Sequence, residues 1–223
     1  MMFLVACPSR GPVSSSEGPP DEGAGGDEQN TDAGLDGGTD GGARETSDAG
    51  VSCVNAIEEV PYASPECRVH IPEDQTPQYI HNPPVAGEHF PVWARWQKYT
   101  TEVPRGYWVH NLEHGGVIFL YRPDVSEQIW AALNRIYDAI PPEQDCVDTG
   151  LPHNRVILTP DHLLDVPWAV TVSGPESEYC VGSGYRIKSD CIASEQALID
   201  FAVQHRNKAI ETFCDHGDYP YPP

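Results

Sequence analysis

The sequence predicts an α+β fold: a small mixed sheet with helices mainly on one face, and long loops stapled by disulfides. Three observations predict it. Short apolar or alternating runs of strand length are interleaved with two longer stretches of helical periodicity. Residues 72–89 are crowded with Pro, Asn and Gly and must form a loop. Six cysteines lie beyond residue 50, an even number with no Cys-x-x-Cys pair among them, which is the pattern of disulfides.

Taken in chain order, Glu66-Cys-Arg-Val-His-Ile71 alternates polar and apolar residues, as a half-buried strand does. After the loop, residues 90–108 carry Phe90, Trp93, Trp96, Tyr99, Tyr107 and Trp108, an aromatic wall or a minor core. Gly116–Tyr121 contains so few polar residues that it predicts a central strand, covered on both faces. Pro123 and Asp124 then start a helix, with Asp124 as N-cap and Glu127 three residues on. Val125, Ile129, Ala132, Leu133, Ile136 and Ile140 recur along it at helical spacing, and Pro141-Pro142 stop it. Arg155–Thr159 and Trp168–Val172 read as strands, so residues 117–159 form a candidate strand–helix–strand crossover. Residues 173–193 read as a Gly/Ser-rich insertion whose bend is flanked by Cys180 and Cys191, and these two are paired on that ground. Cys53–Cys67 and Cys146–Cys214 complete one set among the 15 connectivities that six cysteines allow. The last helix begins after Ser194, has Glu195 in its first turn, and buries Leu198, Phe201, Ala202 and His205. The tail 215–223 is irregular.

Composition bounds the rest. Residues 1–50 hold 11 of the 20 glycines, 10 acids against 2 bases, and no Trp or Tyr. Such a segment buries too little apolar surface to offset its chain entropy. Residues 8–50 are expected to be a disordered acidic tether and 51–223 a single globular domain. Leu4-Val-Ala-Cys7 has the form of a lipoprotein cleavage site, so residues 1–7 are expected to be a truncated signal whose Cys7 carries the lipid. No run of 18 apolar residues exists, so the expected attachment to a membrane is by lipid alone. The formal net charge of −21 is shared by both parts of the chain, which argues against nucleic acid and against polybasic docking to anionic lipid.

The chemistry concentrates in His110-Asn-Leu-Glu-His114, followed by Gly115-Gly116 and the apolar strand. Two imidazoles four residues apart reach one ion from a helix turn or from one side of a strand. His89 ends the loop Asn82-Pro-Pro-Val-Ala-Gly-Glu-His89, and Glu113 offers an oxygen ligand or an acceptor for an imidazole N–H. His81, beside the same loop, is a candidate fourth ligand. His70, His153, His162 and His216 read as surface or loop residues. The only methionines are Met1 and Met2, and oxidised cysteines leave no thiolate, so the expected cofactor is a divalent ion, copper(II) or zinc(II), with copper favoured. His110-x-x-Glu113-His114 also spells the inverted zinc-protease motif, but that motif needs a long helix and the two glycines end one.

The two blocks together resemble the signature of a bacterial family, domain of unknown function 3105: a Pro-Pro-x-Ser-Gly-x-His loop, an aromatic stretch, and a His-x-Leu-Glu-His-Gly block entering a strand. The resemblance spans roughly residues 66–172 and extends weakly to the last helix. It departs from the family at Ala86, where Ser is usual, and in the insertion around Cys180 and Cys191. It implies an exported or membrane-attached protein and groups His89, His110, Glu113 and His114 into one site. The expected function is therefore that of a lipid-anchored cell-envelope protein binding a divalent metal. The alternatives are a metal-dependent hydrolase with Glu113 as general base, and an interaction module whose histidines are structural.

Overall fold

The structure, a computed structural model, describes residues 52–63, 68–176, 180–212 and 214–219. The expected signal and tether, with Cys7, and also Cys67 lie outside the described residues. The described residues all belong to one unit, Ala49–Pro223.

The elements follow the order β1 (Glu58–Tyr62), β2 (Val69–His70), β3 (Glu88–His89), α1 (Arg105–Glu113), β4 (Val117–Tyr121), α2 (Glu127–Ala139), α3 (Gln144–Asp148), β5 (Val156–Pro160), β6 (Trp168–Glu176), β7 (Gly182–Ser189) and α4 (Glu195–His205). Five strands form one mixed sheet in the order β1-β7-β6-β4-β5, and β2 and β3 form a separate two-stranded ribbon. β4 and β5 are parallel and joined through α2 and α3, so the predicted crossover is present. The other ladders of the large sheet are antiparallel.

All five residues of β4 are buried, as a central strand requires. Its alternate side chains feed two cores. Val117, Phe119 and Tyr121 pack with Leu133 and Ile136 of α2 and with Leu198, Phe201 and Ala202 of α4. Ile118 and Leu120 face the other way, onto Trp108, Val109 and Leu112 of α1 and the ring of Phe90. The fold is α+β as predicted, with α2 and α4 on one face and α1 with its aromatic loops on the other.

Several expectations are corrected. The cap of α2 is Ser126, whose hydroxyl accepts from the Ile129 N–H; Asp124 is turned away to pair with Arg122 at 2.8 Å. Residues 182–189 are not loop but the long strand β7, between β1 and β6. Its glycines let neighbours approach: a Cβ at Gly184 would meet Val85 at 2.5 Å. β1 itself carried no clear periodic signal, having only Val60 and Tyr62 buried. Cys191 bonds Cys53, not Cys180, because the β1–β7 ladder carries the chain start alongside the end of β7. The pair Cys53–Cys67 falls with it. Cys180 is also disulfide-bonded, and Cys146–Cys214 is formed as expected. Ser194 caps α4 through the Ala197 N–H, as predicted.

Candidate metal centre

The site is built where the β2–β3 ribbon meets α1. In the parallel ribbon His70 stands opposite His89, so the two side chains share a face. On α1, His110 and Glu113 are three residues apart and likewise share a face. The ribbon and helix are drawn together by the Phe90 N–H, which donates to the Gly106 carbonyl at 3.0 Å. Glycine at 106 permits this approach, since a Cβ there would lie 2.5–2.8 Å from the Phe90 ring. α1 ends at His114 because Gly115 takes φ +73°, the left-handed conformation that closes helices.

The result is a triangle of imidazoles. Ring centroids of His70, His89 and His110 are separated by 4.7, 4.7 and 4.8 Å. All three direct Nε2 at one atom, Glu113 Oε2, at 3.9 Å from His70, 3.2 Å from His89 and 3.6 Å from His110. Nδ1 of His89 lies 2.8 Å from the Gly87 carbonyl, and Nδ1 of His110 lies 2.6 Å from that of Phe90. A carbonyl only accepts, so each Nδ1 carries a proton and each ring is turned with its Nε2 toward the centre. Nε2 of His89 is buried and makes no hydrogen bond, although it is ion-pair close to Glu113. The two atoms stand 3.2 Å apart, a separation that a shared cation, proton or metal ion, fits.

Burial holds the His110 imidazole at about 3, far below its usual range, with the charges of His89 and His114 pushing the same way. Burial pushes the Glu113 carboxyl up, but its pairing with His89 and the charges of His89, His110 and His114 outweigh that and bring it to about 2. A neutral imidazole and an ionised carboxylate are the forms that bind metal. The His89 and His110 side chains are 1% and 3% exposed and that of His70 is 55% exposed, so the cluster opens to solvent past His70.

Of the residues predicted from sequence, His89, His110 and Glu113 meet here. His114 lies one step away. As the cap residue it sets its ring, tilted, against those of His110 (4.8 Å) and Trp93 (4.5 Å) and shares a second group with Glu113 and Glu211. His81 belongs to neither group. Arg186 bonds the carbonyls of Asn82 and Pro83 over β7, and His81 falls within electrostatic reach of Glu58 at the edge of the large sheet. His205 packs between Tyr185 and Phe201, away from the site, and His153 is buried rather than at the surface. His70 is the member of the cluster that sequence reasoning missed. The signal for it was the pairing of Val69-His70 with Glu88-His89, which no local pattern reveals.

Fold and site together define an α+β domain whose ribbon and first helix present a three-histidine, one-carboxylate cluster. The chain belongs to the family described as protein of unknown function (DUF3105), which matches residues 70–211 and so contains every residue of both groups. No curated protein and no solved structure matches it.

Proposed function

We propose that the protein binds a divalent transition-metal ion through His70, His89, His110 and Glu113. One observation carries this reading: three imidazole Nε2 atoms converge on one carboxylate oxygen, and two of the rings are held in the ligating tautomer by backbone carbonyls. Hydrogen bonds of this kind on the far nitrogen are what orient metal-binding histidines. In a tetrahedral site with bonds of about 2.0–2.1 Å, neighbouring ligand atoms lie roughly 3.3–3.4 Å apart; a square plane would give two separations near 2.9 Å and one near 4.1 Å. The distances from Glu113 Oε2, 3.2, 3.6 and 3.9 Å, are closer to the tetrahedron. Zinc(II) fits that geometry better, and copper(II) competes through its greater affinity for any nitrogen–oxygen set. Among the described residues Glu113 is the one carboxylate of this group, and in a ligand position it does not serve as general base, which favours binding over hydrolysis at this ion.

The disulfides Cys53–Cys191 and Cys146–Cys214 support an oxidising compartment, hence placement in the bacterial cell envelope. Anchoring there through a lipid on Cys7 belongs to the same proposal.

The test is metal analysis of the purified full chain by mass spectrometry after incubation with zinc(II) or copper(II) and gel filtration. The expected result is at least one tightly held equivalent, lost in His89→Ala and His110→Ala. A wild-type chain that emerges without metal would sink the reading.

A further inference from the structure

Glu113 belongs to two groups of ligand atoms, not one. Besides the three-histidine cluster, one oxygen of its carboxylate, one nitrogen of His114 and one oxygen of Glu211 lie within 4.8 Å of one another. His114 Nδ1 stands 3.6 Å from Glu211 Oε2. The two groups are contiguous, since the rings of His110 and His114 lie 4.8 Å apart and Trp93 walls both, at 5.0 and 4.5 Å.

We propose that Glu113 bridges two metal ions, the second held by His114 and Glu211. This rests on the first ion being present in the three-histidine cluster.

Three features argue for a built site. The first is its placement. Glu211 is not on a loose tail: its N–H donates to the Glu113 carbonyl at 3.2 Å, and the Asn207 N–H donates to the Gly115 carbonyl at 2.9 Å. The buried guanidinium of Arg155 then ties the two sides, bonding the carbonyls of His114 at 2.8 Å and Thr212 at 2.9 Å. The segment carrying Glu211 is thereby fixed against the end of α1. The second feature is charge. Two divalent ions side by side repel, and an anionic carboxylate with one oxygen toward each ion is the ordinary way to hold such a pair. Glu113 is the one carboxylate shared by both groups, and Glu211 adds a second negative charge on the outer side. The third is coordination. The inner ion has four protein ligands, whereas the outer ion has three, which leaves it a position for water or for a small anionic ligand. The Glu211 side chain is 51% exposed, so that position faces solvent. The inner ion is then structural and slowly exchanging, and the outer ion is labile and open to chemistry.

The experiment titrates the full chain with copper(II) and compares wild type with Glu211→Gln and His114→Gln. Metal per chain is read by mass spectrometry and the spin count by electron paramagnetic resonance. Two equivalents are expected in wild type, with an isolated-copper signal that falls short of two spins because the bridged pair is coupled. Each variant is expected to hold one equivalent whose signal integrates to one spin, with the first equivalent retained. Glu211→Gln alters a half-exposed side chain, so it keeps the test valid should His114→Gln misfold; circular dichroism checks both. Saturation of wild type at one equivalent overturns the proposal. So does a second equivalent that survives in the Glu211→Gln chain. A wild type that takes up no metal overturns the three-histidine reading as well, and thus the two failures are told apart.

Discussion

At the residue scale the cluster divides by burial, and the consequences of each change follow from that division. His70 is the exposed member, so His70→Ala removes one of the proposed ligands while leaving the core intact. Metal affinity is expected to fall by at least roughly 10–100-fold, the cost already seen when only a ligand's supporting hydrogen bond is lost. The melting temperature of the metal-free protein should stay almost unchanged, as for other surface substitutions. Calorimetric titration with zinc(II), paired with thermal melts in chelator, checks both halves. His110 and His114 behave differently. Burial holds them at about 3 and about 4, below the usual imidazole range. The unfolded chain therefore binds protons below pH ~6.5 that the folded chain refuses. Stability is full above that pH and is lost as pH falls through 6.5 toward the folded values. Each such histidine adds a slope of up to about 1.4 kcal/mol per pH unit. Glu113, held at about 2, acts in the same direction at lower pH, its contribution disappearing as pH falls below its ordinary 4.5. Urea unfolding of the chelator-treated protein at pH 7, 5.5 and 4.5 should show this acid loss, with a shallower slope in His110→Gln. Equal stability at the three values would refute the burial of neutral imidazoles. The residue types were legible in the sequence for His89, His110 and Glu113, because two compact motifs carry them. His70 was not legible, because its place in the cluster depends on strand pairing across the loop 71–87 and not on its neighbours in the chain.

At the scale of elements, the site is a product of how closely α1 approaches the ribbon. Phe90 is the hinge of that contact. Its N–H bonds Gly106, its carbonyl holds His110 Nδ1, and its ring packs where a Gly106 side chain would be. Gly106→Val therefore pushes the ribbon off the helix. It is expected to cost about 1–3 kcal/mol through overpacking and, because the Phe90 carbonyl moves, to weaken metal binding as well. Leu133→Ala on α2 serves as the contrast. Leu133 is fully buried on the opposite face of the sheet, so truncation should cost about 2–5 kcal/mol while metal affinity of the folded protein is unchanged. Denaturant midpoints and zinc titrations on the two variants separate a helix that positions ligands from one that only fills core. The same contrast explains what was readable. α2 and α4 show their apolar faces at helical spacing, with a Pro-Pro stop after α2 and the Ser194 cap before α4, and were placed within a few residues although the α2 cap is Ser126 and not Asp124. α1 is buried nearly all round, from Gly106 through Leu112, and begins at Pro104 without a side-chain cap, so it has no amphipathic stripe to find. β7 hid for the converse reason. Its glycines read as turn, yet they are there because Val85, Tyr62 and the neighbouring backbone pack against it.

Over the whole molecule, the two described disulfides tie different regions, and this separates global stability from the state of the site. Cys53–Cys191 joins the segment before β1 to the end of β7, 138 residues apart in sequence. Cys146–Cys214 joins α3 to the segment just beyond Glu211, 68 residues apart. Either bond restricts the unfolded chain, and losing either is expected to cost about 2–5 kcal/mol. Their effects on metal should differ. The Cys53–Cys191 bond lies at the far edge of the sheet, at β1 and β7, and its removal by Cys53→Ser with Cys191→Ser should leave metal content unchanged at temperatures where the chain remains folded. The Cys146–Cys214 bond holds the stretch that delivers Glu211 to the end of α1, a stretch otherwise fastened by the Glu211–Glu113 backbone bond and by Arg155. Cys146→Ser with Cys214→Ser should therefore keep the three-histidine ion and release the outer one, giving a lower metal count at similar loss of stability. The comparison is made by measuring the urea midpoint and the bound metal on both double variants. An equal loss of metal in the two would mean that general loosening of the fold, rather than the anchoring of one segment, governs the site.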